Sequence, residues 1–131
     1  MRILALLAVL AAPLAAEPYP LDAVPEGPLW HVTEIGGTAL PAGIAVNFTR
    51  LKEGVLGGSA GCNSFTMRIG QDHKRLYPAP VALTRMACDS ANMRAEAAFV
   101  AAMGRLFSLA HEGETLRLLA EDGAVLLRAR R

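Results

Sequence analysis

Ser59 stands in the run Gly-Gly-Ser-Ala-Gly at residues 57–61, which matches the G-x-S-x-G pattern of hydrolase nucleophiles. In those enzymes the serine occupies a tight turn between a strand and a helix, and an acid and a histidine activate it. Residues 65–69 downstream alternate between apolar and polar types, which predicts another strand in place of that helix. We therefore interpret the match as accidental and predict no catalytic residue.

Cys62 and Cys88 offer a second kind of chemistry. A free Cys62 could act as a nucleophile with His31, His73 or His111 as its base. The histidines share no ligand spacing with the cysteines, so we predict no metal site and no cofactor. An even number of cysteines in an exported chain favours a disulfide, provided that the fold brings the two Cα atoms within reach. The alternative is a pair of buried free thiols.

Alternating apolar and polar residues predict the strands that must position these side chains. We expect six strands ahead of a helix, at residues 29–35, 44–48, 55–61, 65–69, 75–77 and 81–83. Glycines inside the third strand indicate a bulge, a barrel corner or a close approach of two backbones. Pro78 and Pro80 interrupt the last two strands, which is typical of a sheet edge.

Residues 92–107 carry the helical pattern of the chain. Phe99 and Met103 recur at the spacing of a buried helix face, and alanines between them permit close packing. Ser90 is the expected N-cap, with Asp89 beside it to favour the positive end of the helix.

Two further strands follow the helix, at residues 115–119 and 124–128. The turn between them contains Asp122-Gly123, and Asp-Gly between two apolar runs is a strong hairpin signal. Sequential antiparallel strands with a single covering helix predict an α+β domain or a small open barrel.

The N-terminal residues predict a secretory signal peptide. Arg2 precedes an uninterrupted apolar run at residues 3–12, and small residues follow just before Glu17. The run is too short for a transmembrane helix, which needs about 20 apolar residues, so we expect no stable membrane span. The expected organisation is a signal peptide at residues 1–16, a proline-rich leader at 17–28 and one domain at 29–131.

Cleavage near Ala16–Glu17 leaves glutamate as the first mature residue. Lipid anchoring of a bacterial lipoprotein needs a cysteine at that place, so we expect a soluble periplasmic or secreted protein. Loss of Arg2 leaves 12 of the 13 basic residues against 12 acidic ones, a formally neutral chain. A neutral surface does not attract phosphate backbones, so we expect no nucleic-acid partner. We expect a monomer whose envelope partner or ligand is unknown.

Two short segments contain residues that the predicted strands and helix do not account for. They comprise Gly61, Cys62 and Asn63 at the end of a predicted strand, and Thr84, Met86, Ala87 and Cys88 ahead of the helix. Glycine and asparagine allow tight or left-handed backbone, which would let the strand end approach the segment that holds the second cysteine.

These segments resemble the META/HslJ-like domain family. In that family a strand ending in glycine-cysteine-asparagine precedes a threonine-x-methionine-alanine-cysteine element and a helix. The resemblance spans residues 29–128 and includes Trp30 in the opening strand, Phe48 in the second and Glu96 in the helix. Where the family has an aromatic shortly after the asparagine, this chain has Ser64-Phe65.

The resemblance implies a mainly antiparallel sheet curled into a small barrel-like structure with one helix packed across it. It also implies an envelope or secreted location and a loose link to stress or antibiotic tolerance. Since the family pattern looks structural, no catalytic residue carries over. Our first hypothesis is a non-enzymatic envelope protein that acts by binding or envelope support. The alternatives are a small barrel that binds an apolar ligand, and a small hydrolase that uses Ser59 or a free Cys62.

Overall fold

The computed structural model describes residue 11 and residues 20–131. The predicted signal peptide, apart from residue 11, lies outside the described residues, as do its cleavage point and positions 17–19 of the leader. In the described part of the chain, no helix is long and apolar enough to cross a membrane.

The described residues form ten strands and one α-helix. The strands are β1 (Trp30–Ile35), β2 (Thr38–Ala39), β3 (Val46–Lys52), β4 (Val55–Ala60), β5 (Ser64–Gln71), β6 (Leu76–Pro78), β7 (Ala82–Leu83), β8 (Ser108–Glu112), β9 (Thr115–Leu119) and β10 (Val125–Arg130). The helix α1 (Ser90–Gly104) lies between β7 and β8.

The strands form one antiparallel sheet in the order β6-β5-β4-β3-β1-β10-β9-β8, with β2 beside β1 and β7 beside β5. Strand β1 lies in the middle of the sheet and joins two meanders. The meander from β3 to β6 precedes α1 in the sequence, and the meander from β8 to β10 follows it. The two ends of the sheet approach each other, where the Leu76 N–H donates to the carbonyl of Phe107 at 2.7 Å. The sheet is thus a nearly closed barrel with α1 packed across it, which confirms the predicted α+β fold.

Large apolar side chains fill the interior of this barrel. Trp30, Phe48, Phe99 and Met103 are all fully buried. The rings of Phe65 on β5 and Phe99 on α1 lie 4.9 Å apart between centroids, so the helix contributes directly to the core.

The helix begins and ends earlier than the sequence predicts. Asp89, not Ser90, is the N-cap, because its carboxylate accepts from the backbone N–H of Asn92 at 2.8 Å. Hydrogen bonds from Asn92 hold the pKa of Asp89 below its ordinary value of 3.8. At the other end the helix stops at Gly104, and the chain enters β8, a strand that the sequence did not predict.

The four prolines of the leader predict an extended surface segment without helical structure, and the structure differs from this prediction. Pro20–Ala23 forms a 3-10 turn, and Leu21 and Val24 are buried in the core. Arg50 on β3 holds the turn in place, since its guanidinium donates to the carbonyls of Leu21 at 3.2 Å and Val24 at 2.9 Å. Proline is tolerated in the first turn of a helix, so the prolines of the leader did not exclude this turn.

Candidate functional site

The residues after β4 and the residues before α1 meet at the two cysteines. The sulfur atoms of Cys62 and Cys88 lie 2.03 Å apart and their Cα atoms 5.8 Å apart, which is a disulfide. Neither sulfur is a free thiol, so this geometry leaves Cys62 no role as a nucleophile. A disulfide-bonded pair fits an oxidising compartment.

Asn63 occupies the centre of a hydrogen-bonded cluster beside the disulfide and is only 3% exposed. Its side-chain oxygen accepts from the Met86 N–H at 2.6 Å and from the Thr84 hydroxyl at 2.9 Å. Its side-chain nitrogen donates to the Met86 carbonyl at 3.3 Å. The same nitrogen donates to Oε2 of Glu96 at 3.1 Å, and its backbone N–H donates to Oε1 at 2.7 Å.

These contacts fix the direction of every hydrogen bond in the cluster. A backbone N–H can only donate, so the Met86 N–H identifies the atom of Asn63 that faces it as the oxygen. The side-chain nitrogen must then face Glu96, and both oxygens of the Glu96 carboxylate accept. Glu96 is 6% exposed, so α1 is held to the end of β4 by a buried carboxylate.

The remaining motif residues hold the same junction. Gly61 has φ +117°, and a Cβ there would lie 3.2 Å from the Asn92 carbonyl oxygen, so glycine permits the helix to approach this closely. Thr84 accepts from the Ser64 N–H at 3.2 Å. Met86 contributes its backbone while its side chain is 59% exposed, and nothing in the structure explains the alanine at position 87.

Ser59 lies on β4, and β5 follows it, so the strand–turn–helix geometry of a nucleophile is not formed. Its hydroxyl donates to the Ala45 carbonyl at 3.2 Å. The His111 ring packs edge-on against Trp30, with centroids 5.3 Å apart. Across the described residues, no group of three or more His, Cys, Asp or Glu side chains could hold a metal ion.

Glu96 is the member of the cluster that sequence reasoning missed as a site residue. It stands three residues before Phe99 and seven before Met103, in the buried stripe of the helix. A charged residue at an apolar position of a helix indicates a specific partner, and that signal was available in the sequence.

The disulfide has a measurable consequence. In guanidinium chloride without reductant, thiol titration of the protein folded under oxidising conditions should find no thiols, and after reduction it should find two. We expect Cys62→Ser/Cys88→Ser to lower the free energy of unfolding by about 3 kcal/mol, because the open chain gains conformational entropy when unfolded. Urea unfolding of the oxidised protein, the reduced protein and the double variant measures this. Two thiols before reduction would contradict the disulfide, and equal stability of all three forms would contradict its stabilising effect.

The comparisons with known proteins agree with this architecture. Residues 25–131 match the family model of the META domain. No curated protein matches the chain. A protein from Burkholderia xenovorans solved by NMR is similar in structure, with a TM-score of 0.62 and 20% sequence identity over 95% of this chain and 97% of that one. At this identity the similarity extends to the fold alone.

Proposed function

We propose that this chain, which belongs to the META domain family, is an exported, non-enzymatic envelope protein that acts by binding or by supporting the envelope. The observation that carries the proposal is the cluster around Asn63. Its side chain forms hydrogen bonds to Thr84, Met86 and Glu96, and the neighbouring cysteines are joined. The motif residues are thus engaged in holding the helix to the sheet, which supports a structural role for them.

The disulfide and the predicted signal peptide support the proposed location. A disulfide persists in the periplasm or outside the cell, and cytoplasmic reductants would remove it. The mature protein would begin at Glu17, without an anchoring cysteine, and be released in soluble form. The proposal includes a contribution to stress or antibiotic tolerance, as the family resemblance implies.

Binding is proposed at the surface of the barrel. Trp30, Phe48 and Phe99 are fully buried and occupy the interior, where an apolar ligand would have to replace them. This packing favours an envelope-binding or supporting role over the alternative of a barrel that encloses an apolar ligand.

Cell fractionation tests the proposal directly. The full chain expressed in a Gram-negative host should appear in the periplasm or the medium with the mass of residues 17–131, less two hydrogens for the disulfide. A matched variant that lacks residues 2–16 should remain in the cytoplasm with two free thiols. Recovery of the full chain only from detergent-extracted membranes would refute its release in soluble form, and recovery only in uncleaved form in the cytoplasm would refute the export.

A further inference from the structure

A cleft of about 550 Å³ opens where β6, the end of α1 and the β9–β10 turn come together. Arg75 and Arg105 line it with Phe107, and Glu121 and Asp122 lie in the same lining. Its volume falls in the range of about 300–1,000 Å³ that is typical of small-molecule sites. None of the motif residues around Asn63 takes part in it, so this is a separate feature of the surface.

The guanidinium of Arg75 is held rigidly at this cleft. Its central carbon lies 4.5 Å from the ring centroid of Tyr77 and 4.6 Å from that of Phe107, a cation–π arrangement with both rings. Its Nε donates to the carbonyl of Leu76 at 3.3 Å. The terminal nitrogens are therefore fixed in one plane before any ligand arrives.

The two rings are themselves anchored. The Tyr77 hydroxyl donates to the carboxylate of Asp72 at 2.8 Å, and this bond lowers the pKa of Asp72 and raises that of Tyr77. Tyr77 thus stays neutral and Asp72 stays ionised at neutral pH. The backbone of Phe107 donates to the Leu119 carbonyl at 2.9 Å and accepts from Leu76 at 2.7 Å.

In the described chain, the charged side chains that line the cleft form no ion pair with one another. Within the described chain, no carboxylate lies within 4 Å of a terminal nitrogen of Arg75 or Arg105, although Glu121 and Asp122 share the lining. A fixed guanidinium recognises a carboxylate through two parallel hydrogen bonds, and the acidic residues favour a cation nearby. The half-buried Pro78 adds apolar surface to the lining.

We propose that this cleft binds a small zwitterion of the class of short peptides with free termini. The carboxylate would pair with Arg75, the ammonium group would face Glu121 and Asp122, and an apolar side chain would rest on Pro78. This inference rests on the proposed binding role and assigns a ligand class to it.

A titration followed by NMR tests the ligand class on uniformly ¹⁵N-labelled mature protein, residues 17–131. The probes are alanyl-leucine with free termini, its C-terminal amide, its N-acetyl form and inorganic phosphate. We expect saturable shifts of the Leu76, Phe107 and Asp122 amides with the free dipeptide, and binding weaker by about tenfold or more for the amide. The N-acetyl form should also bind more weakly. Equal binding of the amide or the acetylated form, or of phosphate, would overturn the zwitterion assignment.

Variants locate the site. Arg75→Gln should weaken dipeptide binding by about tenfold or more, whereas Arg130→Gln, at an exposed arginine on β10, should leave it unchanged. If Arg75→Gln perturbs the fold, Arg105→Gln and Glu121→Gln replace it, because both residues line the cleft. Each should weaken dipeptide binding relative to Arg130→Gln. Absence of saturable shifts in the folded wild-type protein, or unchanged binding in these variants, would overturn the proposal. Fractionation does not depend on the cleft, so an exported protein that binds no dipeptide refutes the ligand class alone.

Discussion

Asn63→Asp is expected to lower the free energy of unfolding by about 3–5 kcal/mol at neutral pH. The substitution changes one NH₂ group to an oxygen, and that oxygen would face Oε2 of Glu96 at the present 3.1 Å. Two carboxylates would then lie together in a site that is almost closed to water. The hydrogen bond to the Met86 carbonyl would be lost as well. Urea unfolding followed by circular dichroism measures the loss.

Asn47→Asp is the matched control, because the chemical change is identical. Asn47 accepts from the Ser59 N–H at 3.1 Å through its side-chain oxygen, and an aspartate would keep that bond. We expect its effect to stay within about 0.5 kcal/mol. The cost of Asn63→Asp should also shrink in acid, since a proton shared between the two carboxyl groups would turn the repulsive contact into a hydrogen bond.

Glu96→Gln completes a double-mutant cycle. Alone it should cost about 1–3 kcal/mol, because either orientation of the new amide turns an NH₂ group toward a donor of Asn63. Combined with Asn63→Asp, the glutamine NH₂ would face an acceptor, and part of the loss should be recovered. Strictly additive effects, or an Asn63→Asp variant as stable as Asn47→Asp, would show that the buried pair does not hold the helix to the sheet.

The cluster around Asn63 could be predicted from the sequence only in part. Cysteine number, a glycine and an asparagine beside Cys62, and the second element ahead of the helix were enough to predict that these segments meet. The role of Glu96 was missed because a helix pattern identifies which side chains are buried but not what they contact. Its carboxylate becomes a partner of Asn63 only after β4 and α1 are packed together.

The strands were predicted where alternation was clear and missed where it was not. Strand β8 has five residues that are mostly half-buried, so its side chains give no period-two signal. Its strand conformation is imposed by pairing with β9, residue for residue from Ser108 to Glu112. The central place of β1 was equally hidden, since its pairing with β10 joins residues nearly 100 positions apart.

The cleft lined by Arg75 could not be predicted from local sequence patterns. Arg75 and Tyr77 are two residues apart at the start of β6, where local pattern can place them together, but Phe107 comes 30 residues after Tyr77, beyond the helix. The three groups meet because β6 and β8 are the two ends of a sheet that curls until they touch. Such a site depends on closure of the barrel and has no local signature.

Gly58→Ala tests the tightest backbone contact of that barrel. Glycines in β4 predicted a bulge, a barrel corner or a close approach of two backbones. The structure places an added Cβ at residue 58 at 2.2 Å from the Asn47 carbonyl oxygen and 2.8 Å from the Phe48 Cα, which is a close approach. Both are backbone atoms of the paired strand β3, so no side chain can turn away to make room. Phe48 is fully buried, and a shift of β3 would disturb the core. We expect a loss of at least about 3 kcal/mol in the free energy of unfolding.

Gly70→Ala supplies the control, because it makes the same change on neighbouring β5. A Cβ there would lie 3.6 Å from the Tyr77 Cβ, an ordinary van der Waals contact. We expect an effect within about 1 kcal/mol, and a slight gain is consistent with the lower entropy of an unfolded chain that contains alanine. Comparison of the two urea midpoints distinguishes a steric cause from a general intolerance of alanine in these strands. Equal midpoints would mean that β3 and β4 can separate at Gly58 without cost, contrary to the packing described above.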